Sequence, residues 1–226
     1  FFTGNVKIEG DYDYINEGRE TSTLHVESED GIHFGDKEEI ISFEKYPEEF
    51  TCHIRDPKVW KENDRYLMVL GGRLKGDKGA VLVYESENLK EWKFKHIITT
   101  PEAFGYMWEC PDLFPIEYKG KNVWVLVVSM TKASEDDHCK MQYFLGDFDG
   151  EKFLCTCPSD EPRWLDEGFD NYAAVTFQNA KDVLLMGWGM NWQYAAQTPT
   201  EEYCGQATLA RKLSLTEVDG ALTLAA

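Results

Sequence analysis

Basic residues are scarce in this sequence: 23 lysines and arginines stand against 41 aspartates and glutamates in 226 residues, a formal net charge of −18. A surface this acidic repels phosphate, which argues against nucleic acid and anionic membranes as partners and fits a neutral substrate. No stretch approaches the length and apolarity of a membrane span. No window longer than a turn or two keeps a 3.6-residue apolar period, so long helices are not expected. The six cysteines are Cys52, Cys110, Cys139, Cys155, Cys157 and Cys204, and the only close pair, Cys155 and Cys157, has no matching second pair. With the five histidines scattered as well, neither a metal nor a cofactor is called for. Scattered cysteines in a chain of this size read as a reduced, cytoplasmic protein. No signal peptide stands at Phe1, but the chain opens within a strand-like run, and a leader ahead of it would make the whole protein a secreted one.

Aromatics, by contrast, are abundant at 14% of residues, and they fall in a repeat. Arg55-Asp56-Pro57-Lys58-Val59-Trp60 is followed by strand-like runs over residues 66–73, 79–86 and 92–98. About 54 positions on, Glu109-Cys110-Pro111-Asp112-Leu113-Phe114 leads to runs over 123–130, 140–148 and 152–154. A third unit begins at Asp170, with further runs over 183–189 and 206–213. The turns before the last run of each unit resemble one another: Ser28 to Phe34, Ser86 to Trp92 and Asp147 to Phe153. An Asp or Asn at such a turn with an aromatic soon after predicts a hairpin that packs its ring inward.

Four short strands recurring in this order predict an all-β fold, a β-propeller of four-stranded antiparallel blades. A two-sheet sandwich also has many short strands, but not a recurring order of them. Residues 1–50 read as the outer strands of one blade whose first strand is missing, and 53–98, 107–154 and 170–222 as three further blades. Innermost propeller strands converge on a central channel. The acids nearest the start of those strands are Asp56, Glu109 and Asp170, which the repeat places at equivalent positions. A ring of carboxylates suits glycoside hydrolysis, in which two flank the scissile bond and one is held protonated.

Two of these acids lie in strings that resemble the RDP and EC motifs of the glycoside hydrolase family 32 β-fructosidases: Cys52 to Trp60 (CHIRDPKVW) and Tyr106 to Phe114 (YMWECPDLF). The resemblance extends through Phe2 to Val6, Gly168 to Ala174, Gly187 to Ala195 and Arg211 to Leu215. It implies five blades and a retaining double displacement at a fructosyl unit. In its terms Glu109 is the acid/base, and Asp56 binds fructose hydroxyls and stabilises the transition state. Arg55 keeps Asp56 ionised and touches the sugar, or else forms a structural ion pair in the channel. Trp108 and Cys110 are expected to raise the pKa of Glu109 by desolvation. Asp112 is a partner that orients Glu109, Tyr172 and Trp188 form an apolar wall of the fructosyl pocket, Asp170 is a substrate contact, and His53 is structural.

The resemblance also shows what the string of residues lacks. The family's nucleophile is the Asp of a WMNDPNG-like motif, and no such string occurs here; Asp11 and Asp13 are the first acids after Glu9 and match nothing in it. With that motif, the first blade and a C-terminal β-sandwich absent, the expectation is an incomplete propeller, inactive alone, belonging to a longer hydrolase of sucrose, sucrose-6-phosphate or fructans. Lys58, Arg73, Lys75 and Lys78 are the cations available to a phosphorylated substrate. Two other readings stay open: a non-catalytic carbohydrate-binding propeller, and a related furanosidase acting on arabinose or xylose.

Overall fold

A computed structural model describes residues 1–13, 17–101, 105–131, 139–156 and 162–226, so Cys157 lies outside the described residues. The helices among those residues are two three-residue 3-10 turns, at Phe43–Lys45 and Ala195–Gln197. None is long and apolar enough to cross a membrane. Everything else regular is strand. The first sheet pairs β1 (Phe2–Asp13), β2 (Glu17–His25) and β3 (Glu38–Ile41). The second is a four-stranded meander of β4 (Phe50–Glu62), β5 (Arg65–Leu74), β6 (Lys78–Ser86) and β7 (Lys93–Ile98). The third repeats it with β8 (Trp108–Tyr118), β9 (Lys121–Met130), β10 (Lys140–Phe148) and β11 (Phe153–Cys155). A fourth sheet holds β12 (Tyr172–Thr176), β13 (Leu184–Trp188) and β14 (Arg211–Lys212), and a hairpin of β15 (Ser214–Val218) and β16 (Ala221–Ala225) follows.

The apolar runs of the middle strands have a direct cause. Alternate residues of a strand point to opposite faces, and the middle sheets are covered on both. On β5, Leu67 and Val69 enter the core shared with the third sheet, whereas Met68 and Leu70 enter the core shared with the first. On β9, Leu126 and Val128 face the second sheet, and Val125 and Val127 face the fourth. Each of these side chains is fully buried, which is worth roughly 1.5–3 kcal/mol apiece. Four-stranded meanders that repeat, each inner one buried on both faces, fit a β-propeller and not a two-sheet sandwich, in which each sheet would bury one face.

The repeated turns have a shared mechanism too. The side-chain Oδ1 of Asp30 accepts from the N–H groups of Ile32 and His33, that of Asn88 from Lys90 and Glu91, and that of Asp149 from Glu151 and Lys152. Each is an Asx turn closed by a local acceptor. The rings that follow do not all go inward as expected. Phe153 is buried and Trp92 partly so, but Phe34 stays half exposed, in a T-shaped contact with Phe1.

Trp108 sets the distance between the second and third sheets. Its ring is buried in their shared core beside Phe144, 5.3 Å between centroids. Room for it comes from two glycines: a Cβ on Gly79 would lie 2.2 Å from the Trp108 ring, and one on Gly71 would lie 2.3 Å from the Trp108 carbonyl oxygen. The Gly71 neighbour is backbone and cannot rotate away. Gly71→Ala is therefore expected to lower stability by about 1–3 kcal/mol, read as a lower urea midpoint; an unchanged midpoint would mean that the two sheets do not approach this closely.

Candidate active site

The innermost strands β4, β8 and β12 each contain one extra residue. Arg55 pairs with Gly71 and Lys58 with Val69, so that a three-residue step on β4 spans two on β5. The same shift separates Glu109 from Asp112 and Tyr172 from Val175. Between the paired positions a non-glycine residue takes positive φ: Asp56 at 61°, Cys110 at 45° and Ala173 at 54°. These are β-bulges, and a left-handed residue in each carries backbone strain of the kind that collects at functional sites. In an unbroken strand, residues three apart face opposite sides; the bulge brings both to one side. Arg55 and Lys58 thus both reach towards β8, as Glu109 and Asp112 reach towards β4 and β12.

This geometry corrects the equivalence drawn from the repeat. Arg55, Glu109 and Tyr172 occupy matching positions, and Asp56 matches Cys110 and Ala173. Asp170 matches neither set: it lies exposed before β12, where the Tyr194 hydroxyl bonds to it. The sequence suggested a ring of three acids because it was aligned on charge, whereas the backbone aligns on the bulge.

The three matching side chains meet. Arg55 donates from Nε at 2.9 Å and Nη2 at 2.7 Å to Glu109 Oε1, and the Tyr172 hydroxyl donates to Oε2 at 2.5 Å. Burial and the negative charge of Glu109 push the Tyr172 phenol well above its ordinary pKa, so it remains a donor. Arg55 Nη1 also lies 3.1 Å from His53 Nδ1. Because arginine has no acceptor, that nitrogen accepts and His53 carries its proton on Nε2. Trp108 does not cover Glu109 as expected, since consecutive residues alternate faces and its ring lies in the core between sheets.

Asp56 accepts from the Cys110 backbone N–H at 2.9 Å, with the Cys110 thiol at 3.5 Å from the same oxygen. A bulge leaves an N–H outside the ladder. Asp56 satisfies the one at Cys110, and the Ser129 hydroxyl satisfies the one at Ala173 at 3.0 Å. Arg55 was expected to hold Asp56 ionised. Instead desolvation raises the Asp56 pKa; the Cys110 N–H opposes this, Glu109 adds to it, and Arg55 opposes more weakly. The reason is geometric: the guanidinium is hydrogen-bonded to Glu109.

A cavity of about 380 Å³ opens over Glu109 and Arg55, lined also by His53, Tyr106, Met107, Thr131, Cys139, Trp192 and Gln193. Trp188 and Tyr172 are not in its wall. Trp188 backs Trp192, with ring centroids 4.9 Å apart, and Tyr172 is buried beneath Glu109. Asp112 does not orient Glu109 by contact; its Oδ2 takes bonds from Lys58 and Thr176. Lys58, Arg73, Lys75 and Lys78 likewise do not line this cavity. His53 was readable, since two residues before Arg55 on a strand means the same face. Trp192 lay within the Gly187–Ala195 string, but nothing in the sequence preferred it to Trp188. A larger cleft of about 840 Å³ lies further along β4, beside Lys58, Trp60 and Phe177, away from this chemistry. Among the described residues no His, Cys, Asp and Glu side chains gather as a metal site.

The profile of the glycosyl hydrolases family 32 N-terminal domain matches residues 1–225. The chain belongs to that family. Among its relatives, a levanase of Bacillus subtilis is 37% identical over 171 residues, which are 71% of this chain and 24% of the relative. A sucrose-6-phosphate hydrolase of Zymomonas mobilis is 35% identical over 230 residues, 95% of this chain and 43% of the relative. The solved structure of a Bombyx mori family 32 β-fructofuranosidase superimposes with a TM-score of 0.75 at 28% identity, covering 99% of this chain and 47% of that one. The chain thus spans less than half the length of these proteins.

The raised pKa of Asp56 has a consequence for stability. A carboxyl whose folded pKa exceeds its unfolded value favours the folded state below the unfolded pKa, and that contribution is lost as pH rises through the folded one. At neutral pH the ionised Asp56 is therefore a cost. Asp56→Asn keeps an oxygen acceptor for Cys110 and is expected to stabilise the chain at pH 7 relative to wild type, with the gain shrinking towards pH 3.5. Urea unfolding at the two values measures it, and a gain that is larger at low pH contradicts the desolvated placement of Asp56.

Proposed function

We propose that these residues belong to a β-fructofuranosidase that releases terminal fructose from sucrose, sucrose-6-phosphate or fructans with retention. The observation that carries this reading is Glu109: a carboxylate at the mouth of a cavity, held on one oxygen by Arg55 and on the other by Tyr172. Glu109 gives its proton to the glycosidic oxygen as the bond to the anomeric carbon breaks, while a second carboxylate bonds to that carbon. Glu109 then takes a proton from water, whose oxygen displaces the second carboxylate and frees fructose. Asp56 receives fructose hydroxyls and stabilises the positive charge developing on the ring. Arg55 and Tyr172 hold Glu109 in one orientation through both steps, and His53 and Trp192 face the sugar.

The second carboxylate, in family terms, is the Asp of the WMNDPNG-like motif that these 226 residues do not contain. Hydrolysis is accordingly assigned to the whole protein, and the 226 residues alone are expected not to turn over. Within it, residues 1–50 are read as outer strands of one blade, and 53–98, 107–154 and 170–222 as three further blades. The partner is a small carbohydrate, with no role for nucleic acid or a membrane; scattered cysteines support a cytoplasmic location, and a leader ahead of Phe1 would make the whole protein a secreted one.

In the whole protein, Glu109→Gln is expected to lower fructose release by about 10²–10⁴-fold, with sucrose, its 6-phosphate, inulin and levan assayed side by side. Near-wild-type release by that variant would sink the assignment. Undiminished fructoside binding by a wild-type protein with no release on any of the four would favour the carbohydrate-binding reading.

A further inference from the structure

Below Arg55, Glu109 and Tyr172, on the far side of the three bulges, a second set of side chains joins the same three strands. Lys58 Nζ donates to Asp112 Oδ2 at 3.1 Å and to the Thr176 carbonyl at 2.7 Å. Thr176 donates to the same Asp112 oxygen from its N–H at 2.6 Å and its hydroxyl at 2.7 Å. Asp112 is 1% exposed and the Lys58 side chain 17%. A buried ion pair of this kind adds little net stability, because desolvation offsets the attraction, so stability alone does not account for it.

Its place in the register does. Arg55 meets Glu109, Asp56 meets Cys110 and Lys58 meets Asp112, each pair 54 residues apart. The bulges of β4 and β8 therefore lie side by side in phase, with the Asp56–Cys110 contact bracketed by an ion pair on either side. Only Pro111 separates Cys110 from Asp112. A slip of β8 along β4 would move Glu109 away from Asp56 and Arg55 together, and the lower ion pair opposes that slip without touching the cavity.

We infer that Lys58, Asp112 and Thr176 are positioning residues for the acid/base: they lock the phase of the two bulges and so set where the Glu109 carboxylate stands relative to Asp56. This rests on the hydrolase reading for its effect on rate, though not for its geometry. None of the three lines the cavity, so substrate affinity is not where the effect falls.

The test uses the whole protein with Asp112→Asn and the milder Thr176→Val, and Lys119→Ala in the exposed Lys119–Glu217 pair as a control. Per folded molecule, the first two are expected to lose about tenfold or more in kcat, with KM within about twofold and a displaced pH profile; the control keeps wild-type values. Wild-type kcat and pH profile in folded Asp112→Asn or Thr176→Val overturns the inference. Should Asp112→Asn not fold, Thr176→Val decides. Should the wild type release no fructose, the hydrolase reading fails by itself, and the ¹³C carboxylate signal of Glu109 (assigned by its loss in Glu109→Gln) decides instead. Movement of that signal in Thr176→Val upholds the positioning role, and an unmoved signal overturns it.

Discussion

A strand alternates its side chains between two faces, and an active site built on strands must work within that alternation. Here a single extra residue in each of three neighbouring strands suspends it for one step. The left-handed residues at Asp56 and Cys110 allow β4 and β8 each to present two side chains three positions apart to a neighbouring strand. Arg55 reaches Glu109 and Lys58 reaches Asp112 for that reason alone. Remove the bulge from β8 and either Glu109 or Asp112 faces the wrong way. The bulge also exposes an N–H with no ladder partner, and on β8 that N–H is what Asp56 accepts from. One local irregularity thus creates the crossing contacts and fixes the Asp56 carboxylate.

These contacts are not what keeps the chain folded. Charges withdrawn from water in the two ion pairs, and the desolvated Asp56, oppose folding or leave it nearly unchanged. Stability comes from the blades, whose middle strands bury both faces through Leu67 to Leu70, Ala80 to Tyr84 and Val125 to Val128. The division is typical of a site carried by a scaffold: rigid apolar stacking outside, strained and polar backbone at the centre. Trp108 links the two regions. Its ring belongs to the core while its backbone, against Gly71, leads directly into Glu109.

The electrostatics of the site differ from those of the chain as a whole. Against an excess of 18 negative charges, the cations at the centre are committed to carboxylates, Arg55 to Glu109 and Lys58 to Asp112. The cavity wall is otherwise neutral or aromatic, with His53 holding its ring proton on the nitrogen away from Arg55.

Much of this was legible in advance. Short continuous apolar runs, Asx turns and their spacing determine blades, because strand propensity and turn chemistry are local properties of the chain. The RDP and EC strings likewise identify Glu109 and Asp56 as the acids of interest, since a motif is a local record of a shared site. What local pattern does not hold is phase between strands. Asp170 shares its charge with Asp56 and Glu109 but not their place, and Tyr172 looked like an apolar wall until its hydroxyl was seen against Glu109. Arg55 stood next to Asp56 in the sequence, yet it is bonded to a carboxylate 54 residues away. Neighbours along a strand point apart, and only the packing of one bulge against the next decides which side chains meet.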